Sequence, residues 1–240
     1  MTTNAFKTAR FFGIALLLCA IVLLVVNPKP ENNLPAGFNT PIIAFEFIQS
    51  KQEILNFFKV QNPDAYEQKM LLGNYIDYLF MVLYSCFLLY IAVGIKKITG
   101  SKTMFLAMFF CMTMLIADAM ENYQIYQLVV MRNINFDQIN PITSFDLYEI
   151  HLTLLNFFTW LKWSSIACTF LLFSPFFFKG KTFHKIIGIF CIACFGLCIA
   201  AFLQHGILNE IFSTSVVVVF LLLVVFVFTF KSSESQIKQI

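Results

Sequence analysis

Charge is scarce in this sequence. Only 12% of its 240 residues are Asp, Glu, Lys or Arg, against about 25% in a soluble protein, which excludes an ordinary soluble domain. Histidine is scarcer still, at three in the chain, and leaves little for a metal centre. No basic run is long enough to track a nucleic acid, and the net charge is only +3. Cysteine is missing from the long loops: Cys19, Cys86, Cys111, Cys168, Cys191, Cys194 and Cys198 all fall in apolar stretches. That argues against a disulfide-stapled exterior. There is no HExxH, no GxSxG, no P-loop and no glycine-rich nucleotide motif. Internal repeats and low-complexity segments are absent too. No metal and no cofactor is implied.

What fills the chain instead is apolar, at 59% of residues with 31 Phe. The composition is that of a polytopic membrane protein whose main solvent is lipid. Six segments suit a crossing of about 20 residues each: near 9–27, 71–95, 103–130, 149–174, 184–204 and 210–230. The first has the basic start of a signal peptide (Lys7, Arg10), but Val25-Val26-Asn27-Pro28 is a poor cleavage site, so it reads as an anchor. With the N-terminus inside, the inner segments hold Lys7, Arg10, Lys96, Lys97, Lys102, Lys179, Lys181, Lys185, Lys231 and Lys238. The outer ones hold only Lys29, Lys51, Lys59, Lys69 and Arg132. The positive-inside rule therefore places both termini in the cytoplasm. The expected architecture is all-α: one polytopic transmembrane bundle of six helices, in a bacterial cytoplasmic membrane.

Residues 28–70 form the one sizeable extramembrane piece, on the outer side. Pro28, Pro30 and Pro35 make its start irregular. Ser50-Lys51-Gln52-Glu53 is a capping box, followed by Ile54, Leu55, Phe57 and Phe58. The pattern predicts a short amphipathic helix on the membrane or over the bundle mouth. The preceding 41–49 run suits a short helix or an extended segment. Asn62-Pro63 reads as an N-cap with proline at the first helical position, so the second membrane helix begins outside the bilayer. A second outer loop, 131–148, carries Thr143-x-x-Asp146, another capping signal.

Four ionisable residues interrupt the apolar segments: Asp77, Asp118, Glu121 and Lys162. A charge at the bilayer centre costs at least about 2.5–3.5 kcal/mol, so such residues turn inward and find partners. At 1.5 Å per residue, Asp77 lies roughly 9 Å in from the outer end of its helix. Asp118 and Glu121 lie roughly 14–18 Å in, and Lys162 roughly 20 Å, so all four fit one layer. Asp118, Glu121 and Asn122 share a helix face, as do Asp77 and Tyr84. Thr159, Lys162, Ser165 and Thr169 form a polar stripe, with His151 nearly eclipsing Lys162 and Trp160 and Trp163 flanking it.

Three acids against one base leave negative charge over. One reading is that Lys162 pairs with Glu121 or Asp118 to fix helix packing, with Asn122 and Tyr84 completing the hydrogen bonds. The other is that the leftover carboxyl exchanges a proton or holds a cation. Elsewhere, Cys191-x-x-Cys194 with Cys198 suits packing better than redox exchange, being buried in lipid. His205, Asn209 and Glu210 read as wet loop residues and caps. The last helix, apolar throughout, is expected to be peripheral and lipid-facing.

Asp77-Tyr-Leu-Phe80 with Tyr84, then Asp118-Ala-Met-Glu121-Asn122, then Lys162-Trp163 resemble a group of small bacterial multi-pass membrane proteins with LDxxF, DxxEN and KW motifs. Ile76 stands where that group usually has Leu. The resemblance covers the second to fourth membrane helices and the outer segment. It implies that these residues act as one set, and adds no chemistry.

The leading expectation is therefore binding or transport: a small amphipathic or cationic ligand, or a proton, engages Asp77, Asp118 and Glu121 with Lys162 as counter-charge. Asn122, Tyr84 and His151 complete the candidate set. A membrane-embedded lipid-modifying enzyme is the second reading, with Glu121 or Asp118 as general acid/base and Lys162 stabilising charge. The third is a structural or partner-binding subunit whose cluster only fixes packing. Whether the protein is an enzyme stays open at this stage. The lipid bilayer is the one partner implied directly.

Overall fold

A computed structural model describes residues 2–31, 33–132 and 141–230. Among them all regular structure is helical: α1 (Thr2–Val26), α2 (Pro41–Glu46), α3 (Lys51–Phe57), α4 (Pro63–Thr99), α5 (Thr103–Arg132), α6 (Pro141–Phe178), α7 (Thr182–Leu203) and α8 (Ile207–Thr229). All but α2 and α3 are long and apolar enough to cross a membrane, six helices in all. By length and composition the chain is a multi-pass membrane protein.

Local chemistry sets the helix ends. Asn62 caps α4, its side-chain oxygen accepting from the Ala65 amide at 3.2 Å with Pro63 at the first position. The helix then runs unbroken for 37 residues, roughly 55 Å, well beyond a hydrocarbon core of about 30 Å. It stops at Gly100, whose φ of 66° lets its amide turn back to the Lys96 carbonyl at 2.8 Å. Ser50 caps α3 by accepting from the Glu53 amide at 3.2 Å. Glu53 reaches back to the Gln49 amide at 2.8 Å, one residue earlier than the capping box anticipates. For α6, the helix is already formed at Pro141, ahead of the Thr143 signal. The Thr143 and Asp146 side chains, the 133–140 stretch, Lys231 and Lys238 lie outside the described residues.

The long helices close a ring. Helix α1 packs on α4, α4 on α5, α5 on α6, α6 on α7 and α7 on α8, and α8 returns to α1. The α1–α8 seam is aromatic and capped. Phe6 packs against Phe226 and Phe230 with centroids 5.6 and 5.0 Å apart. Arg10 donates to the Val227 and Phe230 carbonyls at 2.5 and 3.3 Å, satisfying acceptors at the C-terminus of α8.

Helix α8 is lipid-facing on one side only: Val217, Leu221, Val225 and Phe228 are exposed, while Phe212, Val216, Val219, Leu223 and Phe226 are buried in the bundle. A helix apolar all round serves lipid and core equally well, so composition does not choose between them.

The other end of the ring is covered by α2 and α3. Phe45 and Phe57 are fully buried and meet edge to face, centroids 4.9 Å apart. Phe47 packs on Trp160 at 5.1 Å. The run near 41–49 is helical over Pro41–Glu46. Both ends of this six-residue helix are satisfied by the bundle, since so short a helix leaves most of its backbone groups without partners of their own. Glu210 accepts from the Asn39 and Thr40 amides at 2.9 and 2.7 Å and from the Thr40 hydroxyl at 3.0 Å. Thr159 and Asn156 donate to the Glu46 and Ile48 carbonyls at 3.1 and 3.0 Å. His205 Nε2 lies 2.7 Å from the Phe47 carbonyl. Asn209 and Glu210 are thus buried, not wet; Asn209 does act as a cap, accepting from the Gly206 amide at 2.8 Å.

The turn leading into α2 depends on Gly37. Its φ is +88°, and a Cβ there would stand 2.7 Å from the Ile207 backbone nitrogen. Gly37→Ala is expected to cost about 1–3 kcal/mol through combined backbone strain and collision, read as a lower melting temperature in detergent. Gly196→Ala, inside α7 with open space around it, is expected to leave melting unchanged or to raise it by up to about 1 kcal/mol. Equal melting of the two variants would refute the close seating of this loop on the α7–α8 turn.

Candidate functional site

The centre of the site is Lys162 on α6, 6% exposed. Its ammonium lies 2.5 Å from Glu121 Oε2, 3.1 Å from Glu46 Oε2 and 3.3 Å from Asp118 Oδ1. The two α5 acids reach it together because a spacing of three residues puts them on one face. The lysine therefore pairs with both acids that the sequence offered as alternatives, and with a third that the sequence reading missed. Glu46 comes from α2, outside the membrane-spanning helices. Its sequence signal was available: it is the one charge in Pro41-Ile-Ile-Ala-Phe-Glu46-Phe-Ile48.

Each carboxylate has further partners. Tyr84 donates to Asp118 Oδ2 at 2.6 Å. Thr159 lies 2.9 Å from Glu121 Oε1, so its hydroxyl joins Glu121 to the Glu46 carbonyl. The Trp163 indole donates to Glu46 Oε2 at 2.9 Å, making Trp163 the tryptophan that engages the cluster. Trp160 packs between Phe47 and Phe202 instead.

Asp77 joins the set more loosely. Asn122 donates to its Oδ2 at 2.8 Å, and Asn74 holds the Asn122 carbonyl at 3.0 Å. Lys162 forms no ion pair with it among the described residues. His151 does not join the cluster: its Nδ1 lies 2.6 Å from Gln124 Oε1. The near-eclipse with Lys162 is real in angle, but eleven residues of helix separate the two by roughly 16 Å.

A cavity of about 300 Å³ reaches this cluster. Glu46, Asp77, Asp118 and Lys162 line its polar side, and Phe80, Ile166 and Phe220 are among its apolar walls. Glu121 and Asn122 are not part of its lining. The cluster thus has two halves. Glu121, Thr159 and the far side of Lys162 are packed into the α5–α6 seam, whereas Asp77, Asp118 and Glu46 present carboxyls to open space. Four carboxyls now surround one ammonium, so the acid excess is larger than the sequence indicated. In a site this dry not all four ionise together without protons or a further cation.

Cys191, Cys194 and Cys198 of α7 are buried and free. Cys194 accepts from the Ser215 hydroxyl at 3.4 Å, a packing contact between α7 and α8. Compared with protein-family models, with curated proteins and with solved structures, the chain matches none.

Burial pushes the Glu46 carboxyl above its ordinary range; Lys162 opposes the shift and Asp118 adds to it, with the Trp163 bond also opposing. In the folded protein Glu46 holds its proton to higher pH than in the unfolded chain. Its contribution is therefore full below the ordinary carboxylate range and is lost as pH rises through the folded value. The Glu46→Gln protein, which cannot ionise there, is expected to gain on the wild type in melting temperature as pH rises from 4 to 8. Parallel melting profiles for the two proteins would contradict this.

Proposed function

We propose that this protein binds, and in doing so moves, a small amphipathic or cationic ligand in exchange for protons at the intramembrane carboxyls. The observation that carries the reading is the cavity, which meets the cluster at its acid-rich side. Its volume is at the lower end of small-molecule sites, which run from about 300 to 1,000 Å³. Asp118 and Asp77 are the proposed cation-binding groups, with Glu46 as a third acid and Lys162 holding the set together. Tyr84 and Asn122 orient Asp118 and Asp77. Glu121 takes the structural role in this reading, because it lies behind Lys162.

The proposed setting is a bacterial cytoplasmic membrane with both termini in the cytoplasm, supported by the distribution of lysines between the two sides. The covered end of the bundle then faces outward. Likeness to the group with LDxxF, DxxEN and KW motifs is consistent with treating these residues as one set. A lipid-modifying enzyme ranks second, since Glu121, one of its two candidate acid/base groups, is off the cavity and out of reach of a substrate there.

The test is a thermal-shift screen of fragment-sized cations, anions and neutral compounds on the detergent-purified protein. Cations are expected to stabilise it, by about 2.7 kcal/mol at a hundredfold excess over Kd. The stabilisation should grow from pH 5 to pH 8 as the ligand has fewer bound protons to displace. Stabilisation by anions alone, or by nothing at any pH, would overturn the reading.

A further inference from the structure

The cavity has a side opening as well as a polar floor. Helices α1 and α8 touch through Phe6, Arg10 and Gly13 on one side and Val224, Phe226, Val227 and Phe230 on the other. All of these contacts lie in the half of the seam away from α2. Leu23, ten residues beyond Gly13 and so roughly 15 Å further along α1, lines the cavity together with Asn27. Across from them, Thr214 and Val217 of α8 line the same cavity. Both are exposed on the bundle surface, Val217 at 57%. Residues that belong at once to the cavity wall and to the surface mark a mouth, and this mouth lies between two helices that are apolar enough to face lipid.

Above the mouth the route is occupied by α2, fixed by Glu210, His205, Asn156 and Thr159. Access from the covered end would therefore require α2 to leave these partners. Inside, Asp118 and Asp77 face the space with capacity left, beside Glu46, whose Oε2 is already taken by Lys162 and Trp163. Asp118, 2% exposed, has its Oδ1 without a hydrogen bond, 3.3 Å from Lys162. Asp77 is half-buried and takes one hydrogen bond among the described residues, from Asn122. Each lines the cavity, and Lys162 reaches only Asp118. An ammonium group, with three donors and a positive charge, complements this pair. The walls beyond it are mostly apolar, with Phe80, Val216 and Phe220 among them and Ser213 and Thr40 among the polar exceptions. The space is too small for a diacyl lipid, but a single chain can extend through the mouth into the bilayer.

From these features we infer that the ligand is a membrane-partitioned primary amine with one alkyl chain. Its ammonium sits between Asp77 and Asp118, and it reaches the cavity sideways between α1 and α8. The inference rests on the cation-binding reading above and narrows it to one chemical class and one route.

The experiment uses the full chain in lipid nanodiscs, with empty nanodiscs as the partition control. Binding of n-octylamine is followed by the fluorescence of the two tryptophans, of which Trp163 lines the cavity. Octanol carries the same tail without the charge, and methylammonium the same charge without the tail. Octylamine is expected to bind at least about tenfold more tightly than either. Asp77→Asn is expected to weaken octylamine at least about tenfold. Val217→Phe, which narrows the mouth and leaves every acid in place, is expected to slow association several-fold, and serves as the decisive variant should Asp77→Asn fold poorly.

Equal octylamine binding by wild type and Asp77→Asn, or octanol binding as tightly as octylamine, would overturn the amine assignment. Methylammonium binding as tightly as octylamine, or an association rate unaffected by Val217→Phe, would overturn the side route. Absence of binding by all three probes would overturn the inference as a whole. The broader reading would still stand in that case if other cations stabilise the protein in the pH-dependent screen, and would fall if none does.

Discussion

The buried ammonium of Lys162 holds this structure to a single arrangement. Bringing a charge into apolar surroundings is costly unless it is paired and hydrogen-bonded, and here it is paired three times, from α2 and twice from α5. Those pairs join an element outside the membrane helices to two elements within them. If α2 moved away, Lys162 would lose one partner, Trp163 would lose its acceptor, and the Glu46 carbonyl would lose Thr159. The position of the cover, the packing of α5 on α6 and the shape of the cavity therefore follow from one charge that must be neutralised.

The bundle treats α2 as a plug with prepared fittings. Six residues are too few for a helix to be stable alone, and each end of this one is met by a side chain from α6, the α7–α8 turn or α8. Polar groups that seem unremarkable in their own helices, such as Asn156, Thr159, His205 and Glu210, find their purpose across the gap. The result separates the cluster into a packed half around Glu121 and an open half around Asp77 and Asp118. Structural and functional readings of the charges, posed as alternatives by the sequence, apply to different residues of the same set.

Much of this was legible in the residues. Long apolar runs give the six membrane helices directly, and a charge inside such a run stands out because lipid offers it no solvent. Asp118, Glu121 and Asn122 share a face by local spacing alone, so their grouping required no tertiary knowledge. Glu46 escaped because α2 is shorter than two turns and shows no periodicity; its burial is created by docking. His151 matched Lys162 in angle but not in depth. Asn209 and Glu210 looked wet because they sit at a hairpin tip, and only the folding back of residues 37–40 covers them. The proposed side route was beyond reach, since it depends on Leu23 and Asn27 of α1 and Thr214 and Val217 of α8 lining one cavity.

The Glu46–Lys162 pair seats the cover on the bundle. A double-mutant cycle on thermal stability, with Glu46→Gln, Lys162→Met and the two combined, measures that pair most directly. Joined residues in one buried network typically couple by about 0.5–3 kcal/mol, and a coupling of at least about 1 kcal/mol is the result this account predicts. Losses that simply add, to within about 0.3 kcal/mol, would contradict it.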